Sequence, residues 1–357
     1  MLADLDMLRR MQGDTLALLG FGPAECDYRT VASGTRWRLR SYAQTNAAPP
    51  LLIVAAPIKR PYIWDLAPWV SAIRRCLEGR LGVYLLEWRP PEPGDSSAGL
   101  EQYAGRAIGE AVASCSRDAG SDPFLIGHSL GGTLAAIFAA TRPSAIRGLV
   151  LLSSPLCFEP GCCSFRDALV AIAPTGFPPE EIVPGTLISQ LSAVASPATF
   201  VWSRLLDFGL SVGDLRALEV QARVERWTLD EFPLSGRLAG EILHWLYRED
   251  RFCAGTLRIC DRLARPSSLR VQTLAVVNAA DEIAPRASIL SFLNRMPKGQ
   301  AQLLEHPGET GVGFQHLAPL VGRYAHAAIW PQIISWLHNR ASPGSALPSG
   351  ATARRNR

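Results

Sequence analysis

No stretch of this chain approaches the roughly 18 consecutive apolar residues that a membrane-spanning helix needs. The opening Met1-Leu2-Ala3-Asp4-Leu5-Asp6 is acidic early and lacks a long apolar run, so it does not read as a secretory signal peptide. Charge of one sign is scarce. The net charge is +4 over 357 residues, part of it in the tail Ala353-Arg354-Arg355-Asn356-Arg357, so no basic footprint for nucleic acid is present. The eight cysteines make no two CxxC pairs, and Cys162 and Cys163 are adjacent. Cysteine and histidine do not cluster at ligand spacing, so a structural zinc site is not expected. Without a secretory signal, reduced thiols are expected rather than disulfides. These absences together describe a cytoplasmic protein with no membrane span, and nothing suggests a metal or an organic cofactor.

Apolar residues are abundant, at 48% of the chain against 19% charged, enough for a large buried core. Leu5, Leu8, Met11 and Leu16 recur at helical spacing, predicting an amphipathic helix over 1–22 that Gly20 and Gly22-Pro23 end. Asp27–Val31 and Trp37–Tyr42 flank Ser33-Gly34 as a hairpin would. Short apolar runs follow at Leu51–Ala55, Val83–Leu86, Phe124–Ile126, Leu149–Leu152, Leu274–Val277 and Leu303–Leu304. Strands without polar alternation belong to a parallel sheet covered on both faces. Helical stretches such as Ala67–Leu77, Tyr103–Ser116 and Thr133–Ala140 lie between them, giving a doubly wound α/β sheet. The alternation breaks after Pro155. Residues 156–269 read as a helical lid or cap inserted between core segments 23–155 and 270–340, with helices near Arg216–Val224 and Leu238–Tyr247. Residues 341–357 are Ser-, Pro-, Gly- and Ala-rich and read as a disordered tail.

Gly127-His128-Ser129-Leu130-Gly131-Gly132 carries the strongest chemical signal. It follows a strand and precedes a small-residue helix, the setting of a nucleophile elbow, in which Ser129 projects at the head of a helix whose free N–H groups favour negative charge. This motif in a βα series points to an α/β-hydrolase fold with a mostly parallel eight-stranded sheet. The N–H of Leu130 is the expected oxyanion donor. A serine hydroxyl needs a base and a group to orient that base, and in this fold the chain order is Ser, acid, His. Asp281 follows the strand Leu274–Val277, with Glu282 as its rival. Of six histidines, His128 adjoins the nucleophile and is expected to pack beneath the elbow, His244 lies in the insertion, and His326 and His338 fall in or after the last helix. His306, at the end of the final strand, and His316, after a glycine-rich loop and before the helix Leu317–Ala328, remain as candidate bases. The loop Pro57-Ile58-Lys59-Arg60-Pro61 should supply a second oxyanion N–H from Ile58 or Lys59. Lys59 and Arg60 read either as contacts to an anionic substrate such as a CoA phosphate or as solvated cations. Trp202, Trp227 and Trp245 read as acyl-pocket lining or as lid core.

Several segments resemble the polyhydroxyalkanoate synthases: Pro57–Leu66, Val83–Trp88, Gly131–Ala136, Asp281–Pro285, and His316–Arg323 with Trp330-Pro331 beyond. Glu225-Arg226-Trp227 and Leu246-Tyr247 fit as well, so the resemblance runs from about residue 50 to 338. It favours His316 over His306 and implies acyl chemistry on hydroxyacyl groups, with an acyl ester or acyl-CoA as substrate and a homodimer or polymer granule as partner. Two positions depart from the pattern. Ser129 stands where those synthases use cysteine, and Gln315 stands where a glycine precedes the catalytic histidine. A thiolate exchanges readily with thioesters, whereas serine forms a more stable oxyester that water or one acceptor resolves. The expectation is therefore a serine acyl hydrolase or thioesterase, with a serine-dependent synthase and a non-catalytic granule-binding relative as alternatives.

Overall fold

The computed structural model describes residues 2–42, 48–92 and 98–341, so the expected tail falls outside the described residues from 342 onward. Eight strands form one sheet: β1 (Arg29–Gly34), β2 (Trp37–Tyr42), β3 (Pro50–Val54), β4 (Gly82–Trp88), β5 (Phe124–His128), β6 (Gly148–Leu152), β7 (Thr273–Asn278) and β8 (Ala301–His306). Their spatial order is β1-β2-β4-β3-β5-β6-β7-β8. β2 is antiparallel to both β1 and β4, and every pairing from β4 to β8 is parallel. The chain turns between β1 and β2 at residues 35 and 36, two beyond the expected Ser33-Gly34, and Gly34 instead pairs with Trp37.

The apolar runs are explained by two cores, one on each face. Along β3, Leu52 and Val54 enter one core while Leu51 and Ile53 enter the other. In β6, Leu149 and Leu151 face the first core, and Val150 and Leu152 the second. Successive side chains of a strand point to opposite faces, so burial on both sides removes the polar alternation.

Helix α1 (Leu2–Leu16) leads into an irregular turn over 17–21, where Gly20 takes φ +91°. It packs on the insertion, yet Met7, Leu8 and Met11 are exposed. The stretch expected as a helix from Ala67 opens with a short strand pair, Asp65–Ala67 with Val70–Ser71, before α2 (Ala72–Glu78); Ser71 caps that helix by accepting from the Arg74 N–H. α3 (Ile108–Ala119) and α4 (Leu130–Thr141) follow, and every residue of α4 is buried. Between β6 and β7 the chain leaves the sheet and forms α5 (Ser164–Ile172), α6 (Gly185–Ala195), α7 (Ser203–Ser211) and α8 (Leu215–Leu229), with shorter elements after them. The helix expected over Leu317–Ala328 is broken at Gly322, where the backbone is extended, into Ala318–Val321 and a later run. Among the described residues no helix is long and apolar enough to cross a membrane.

The expectation of reduced cysteines alone is corrected. Cys157 and Cys253 form a disulfide across a sequence separation of 96. It fastens the segment after β6 to the far end of the insertion. The buried carboxylate of Asp250 lies beside the two sulfurs, a cysteine–acid grouping that linear spacing hides.

Candidate active site

Ser129 sits between β5 and α4 with φ +54° and ψ −135°, a left-handed conformation that is costly for a side-chain-bearing residue, on the order of 1–3 kcal/mol. The turn is held by the Ser129 N–H donating to the Leu152 carbonyl (3.0 Å) and by its own carbonyl accepting from Gly132 and Thr133. Two glycines make it sterically feasible. A Cβ on Gly127 would lie 2.5 Å from the Gly132 nitrogen, and one on Gly131 would run into the Val54 carbonyl oxygen. The Leu130 N–H heads a helix and has no intrahelical acceptor, as required of an oxyanion donor. Ile58 faces the same cavity. Pro57, just before it, has no N–H to offer.

Asp281 and His316 arrive from the ends of β7 and β8. His316 Nδ1 lies 2.8 Å from Asp281 Oδ2, and both side chains are buried. The other oxygen of Asp281 accepts from the Ile283 N–H (2.9 Å) and the Ala284 N–H (3.1 Å). Burial alone would raise this carboxyl, but His316 and the two N–H groups outweigh it and hold Asp281 below the usual carboxylate range. His316 Nε2 is buried with no protein partner, and both His316 and Ser129 line one cavity of about 460 Å³. The nitrogen left free is the one a base would turn to a serine hydroxyl. Glu282 is exposed and accepts from Thr199 Oγ1 of the insertion, so it does not reach His316. His306 is fully buried away from the cavity. Its Nε2 meets Glu309 Oε1 (3.0 Å), and its Nδ1 accepts from the Gly308 N–H (2.9 Å). His244 and His338 bond the carbonyls of Thr175 and Gly79. His326 bonds the Leu320 carbonyl, and burial lowers it to about 4.

His128 packs beneath the elbow and does more than fill space. Its Nε2 donates to the His316 carbonyl (2.7 Å), and the two rings lie 4.7 Å apart. Burial, with His316 adding to it, lowers His128 to about 3, so it is neutral near pH 7 with its donor proton fixed on Nε2. Asn278 was not singled out from the sequence. At the end of β7 it donates to the Gln315 carbonyl (2.6 Å), tying the residue before His316 to the sheet. Its position one residue past the apolar run was the available signal.

The cavity wall is mostly apolar and is built from both core and insertion, including Ile188, Leu191, Phe200, Leu243, Tyr247 and Phe314. Of the three tryptophans considered, only Trp227 reaches it, with its indole donating to the Arg60 carbonyl (2.7 Å). Trp202 is 66% exposed, and Trp245 lies under the Arg251 guanidinium. Lys59 and Arg60 line the cavity with their charges already engaged. Lys59 Nζ reaches Glu231 Oε2 (2.8 Å) and the Thr228 carbonyl (2.6 Å), and Arg60 Nε lies 3.4 Å from Asp230 Oδ1. Burial lowers Lys59, with Glu231 opposing. Both cations clasp the loop after β3 to the insertion; neither is simply solvated.

Comparison with known proteins gives the same frame. The family model of the α/β hydrolase fold matches residues 67–171. The chain is 25% identical to the poly(3-hydroxyalkanoate) polymerase subunit PhaC of Synechocystis sp. over 352 residues, 95% of this chain and 90% of that one. It is 25% identical to the subunit of the same name from Haloferax mediterranei, over 85% of this chain and 62% of the relative. It therefore spans under two thirds of the haloarchaeal relatives it matches. Among solved structures it superposes on a thermophilic esterase from Thermogutta terrifontis at TM-score 0.51 and 17% identity, covering 89% of this chain and 100% of the esterase. It also superposes on the monoacylglycerol lipase of Paleococcus ferrophilus at TM-score 0.50 and 17% identity, covering 82% and 96%. The chain has the α/β-hydrolase fold and is similar over most of its length to the poly(3-hydroxyalkanoate) polymerases.

Proposed function

We propose that this enzyme of the hydrolase or acyltransferase type is a serine-dependent acyl hydrolase or thioesterase, acting on hydroxyacyl esters or hydroxyacyl-CoA through an acyl-Ser129 intermediate. The observation that carries the reading is the Asp281–His316 pair, whose remaining ring nitrogen is free and whose imidazole lines the same mostly apolar cavity as Ser129. His316 takes the Ser129 proton as Oγ attacks the acyl carbon, and the Leu130 and Ile58 N–H groups hold the oxyanion. The proton passes to the departing alcohol or thiol. Water, deprotonated by His316, then releases the acid and restores Ser129. Asp281 keeps the imidazole in the required tautomer. Residues 156–269 act as the cap over the acyl chain. The apolar wall suits an acyl group, and the serine oxyester suits resolution by water.

A serine-dependent synthase is the second reading, favoured by the relatives named as polymerases. It differs only in the acceptor, a hydroxyl of another hydroxyacyl unit in place of water. Product analysis separates the two. With 3-hydroxybutyryl-CoA, CoA release should be matched by free 3-hydroxybutyrate; chloroform-soluble polymer without free acid would replace the hydrolase by the synthase. A fluorophosphonate probe should label the wild type and leave Ser129→Ala unlabelled. A wild type that stays unlabelled ends the serine-nucleophile reading.

A further inference from the structure

The loop that delivers His316, residues 307–315, is pinned from two sides. On the core side Glu309 accepts from His306 and from the Tyr324 N–H (2.9 Å), and Gln315 Nε2 donates to the Glu309 carbonyl. On the other side the partner comes from the insertion. α7 exposes Leu205, Leu206, Phe208 and Leu210 on its outer face and turns Asp207 inward, where that residue is 7% exposed. Its carboxylate accepts from the Gly311 N–H at Oδ1 (2.7 Å), from the Gly313 N–H at Oδ2 (2.6 Å), and from Gln221 Nε2 at Oδ2 (2.9 Å). Both glycines are left-handed, at φ +84° and +69°. Among the described residues no cation pairs with Asp207, and no other side chain bonds the backbone of residues 310–314. The next residue, Phe314, packs between Phe200 of the insertion and His316, with tilted rings at centroid distances of 5.2 Å and 5.9 Å.

We propose that Asp207 is a positioning residue for His316: its carboxylate shapes the Gly311–Gly313 turn and so sets where the imidazole stands relative to Ser129 and Asp281. The proposal rests on reading those three residues as the reacting set. Leaving a carboxylate inside the protein without a counter-ion is costly, and it is tolerated when donors meet both oxygens, as three N–H groups do here. The donor pattern also specifies the residue type. Two N–H groups address two different oxygens, so an amide of the same size would set its own NH₂ against one glycine. Asn at 207 therefore breaks the turn although it fills the same space. The insertion is then part of the acid–base apparatus as well as a wall.

The test compares wild type, Asp207→Asn and Asp207→Glu by steady-state turnover of soluble p-nitrophenyl butyrate. Alongside it, the low-field proton NMR signal of the His316 Nδ1–H shared with Asp281 is recorded. Asn should lower kcat by about 10- to 100-fold, the penalty of a roughly 1 Å misplacement. KM should stay within about twofold, and the low-field signal should shift or broaden. Glu keeps the charge but displaces the oxygens, so a smaller loss in the same direction is expected; it also serves if the Asn variant does not fold. A variant that melts at lower temperature yet keeps wild-type kcat and an unchanged low-field signal overturns the assignment and leaves Asp207 as packing. If the wild type turns over neither ester nor thioester, the hydrolase reading fails, and the NMR comparison still decides the role of Asp207.

Discussion

His306 and His316 lie within one short stretch, and either fits a base expected after the last strand. Their surroundings separate them. His306 gives both ring nitrogens to its own loop, whereas His316 gives one to Asp281 and keeps the other free. His316→Ala should lower kcat by about 10³-fold or more, as triad removal does. His306→Ala should leave kcat within a few-fold while costing the partly buried Glu309 carboxylate one of its partners, at about 1 kcal/mol of stability. Steady-state kinetics and urea unfolding of the two variants check this; the reverse outcome exchanges their roles. His128 has its own signature. Its folded value, about 3, lies below its ordinary 6.5, so between these values the unfolded chain binds a proton that the folded one refuses. Stability is therefore highest above pH 6.5 and falls as the pH drops towards 3, by on the order of 4 kcal/mol from this residue. His128→Gln should flatten that part of the stability–pH curve, measured by urea midpoints at pH 4 and 7; an unchanged curve sinks the idea. Residue types and order made Ser129, Asp281 and His316 readable in the sequence as the candidate set, and the structure bonds Asp281 to His316, which lines one cavity with Ser129. Lys59 and Arg60 were not readable in the same way, because their partners Asp230 and Glu231 lie some 170 residues downstream.

The elements show where pattern suffices. Doubly buried strands announced themselves as apolar runs because both faces are covered, and β2 was read at its observed bounds. Helices were less legible wherever a local residue breaks them. Gly322 interrupts the last helical region, and α2 begins only where Ser71 caps it, five residues after the apolar pattern starts at Ala67. The elbow is the most constrained element. Gly131→Ala would press a methyl group into the Val54 carbonyl at the join of β3, β5 and α4. Loss of about 3 kcal/mol or more is expected from such overpacking. Soluble yield and thermal unfolding measure it; a variant as stable as wild type would mean that the turn relaxes more easily than its contacts imply.

For the whole molecule, the insertion was read from the break in the strand–helix alternation, but its contacts to the core were not, because its partners are distant in sequence. Asp207 meets residues about a hundred positions away, and the Cys157–Cys253 bond closes a loop of comparable size. Cysteine spacing and compartment arguments carry no information on which thiols a fold brings together. A loop that large should make the disulfide worth about 2–4 kcal/mol, chiefly by restricting the unfolded chain. Reductant, or the double variant Cys157→Ala with Cys253→Ala, should lower the urea midpoint accordingly. Thiol counting of the native protein by mass spectrometry tests the premise, since eight free thiols would remove it.

The contact between His128 and His316 joins positions separated by 188 residues, and Asp281 enters only with β7. A nascent chain ending before residue 270 thus holds Ser129 and its elbow but neither Asp281 nor His316. On the proposed mechanism it is inert however well that part has folded. A chain truncated there should show no turnover, because Asp281 and His316 follow the last two strands of the sheet.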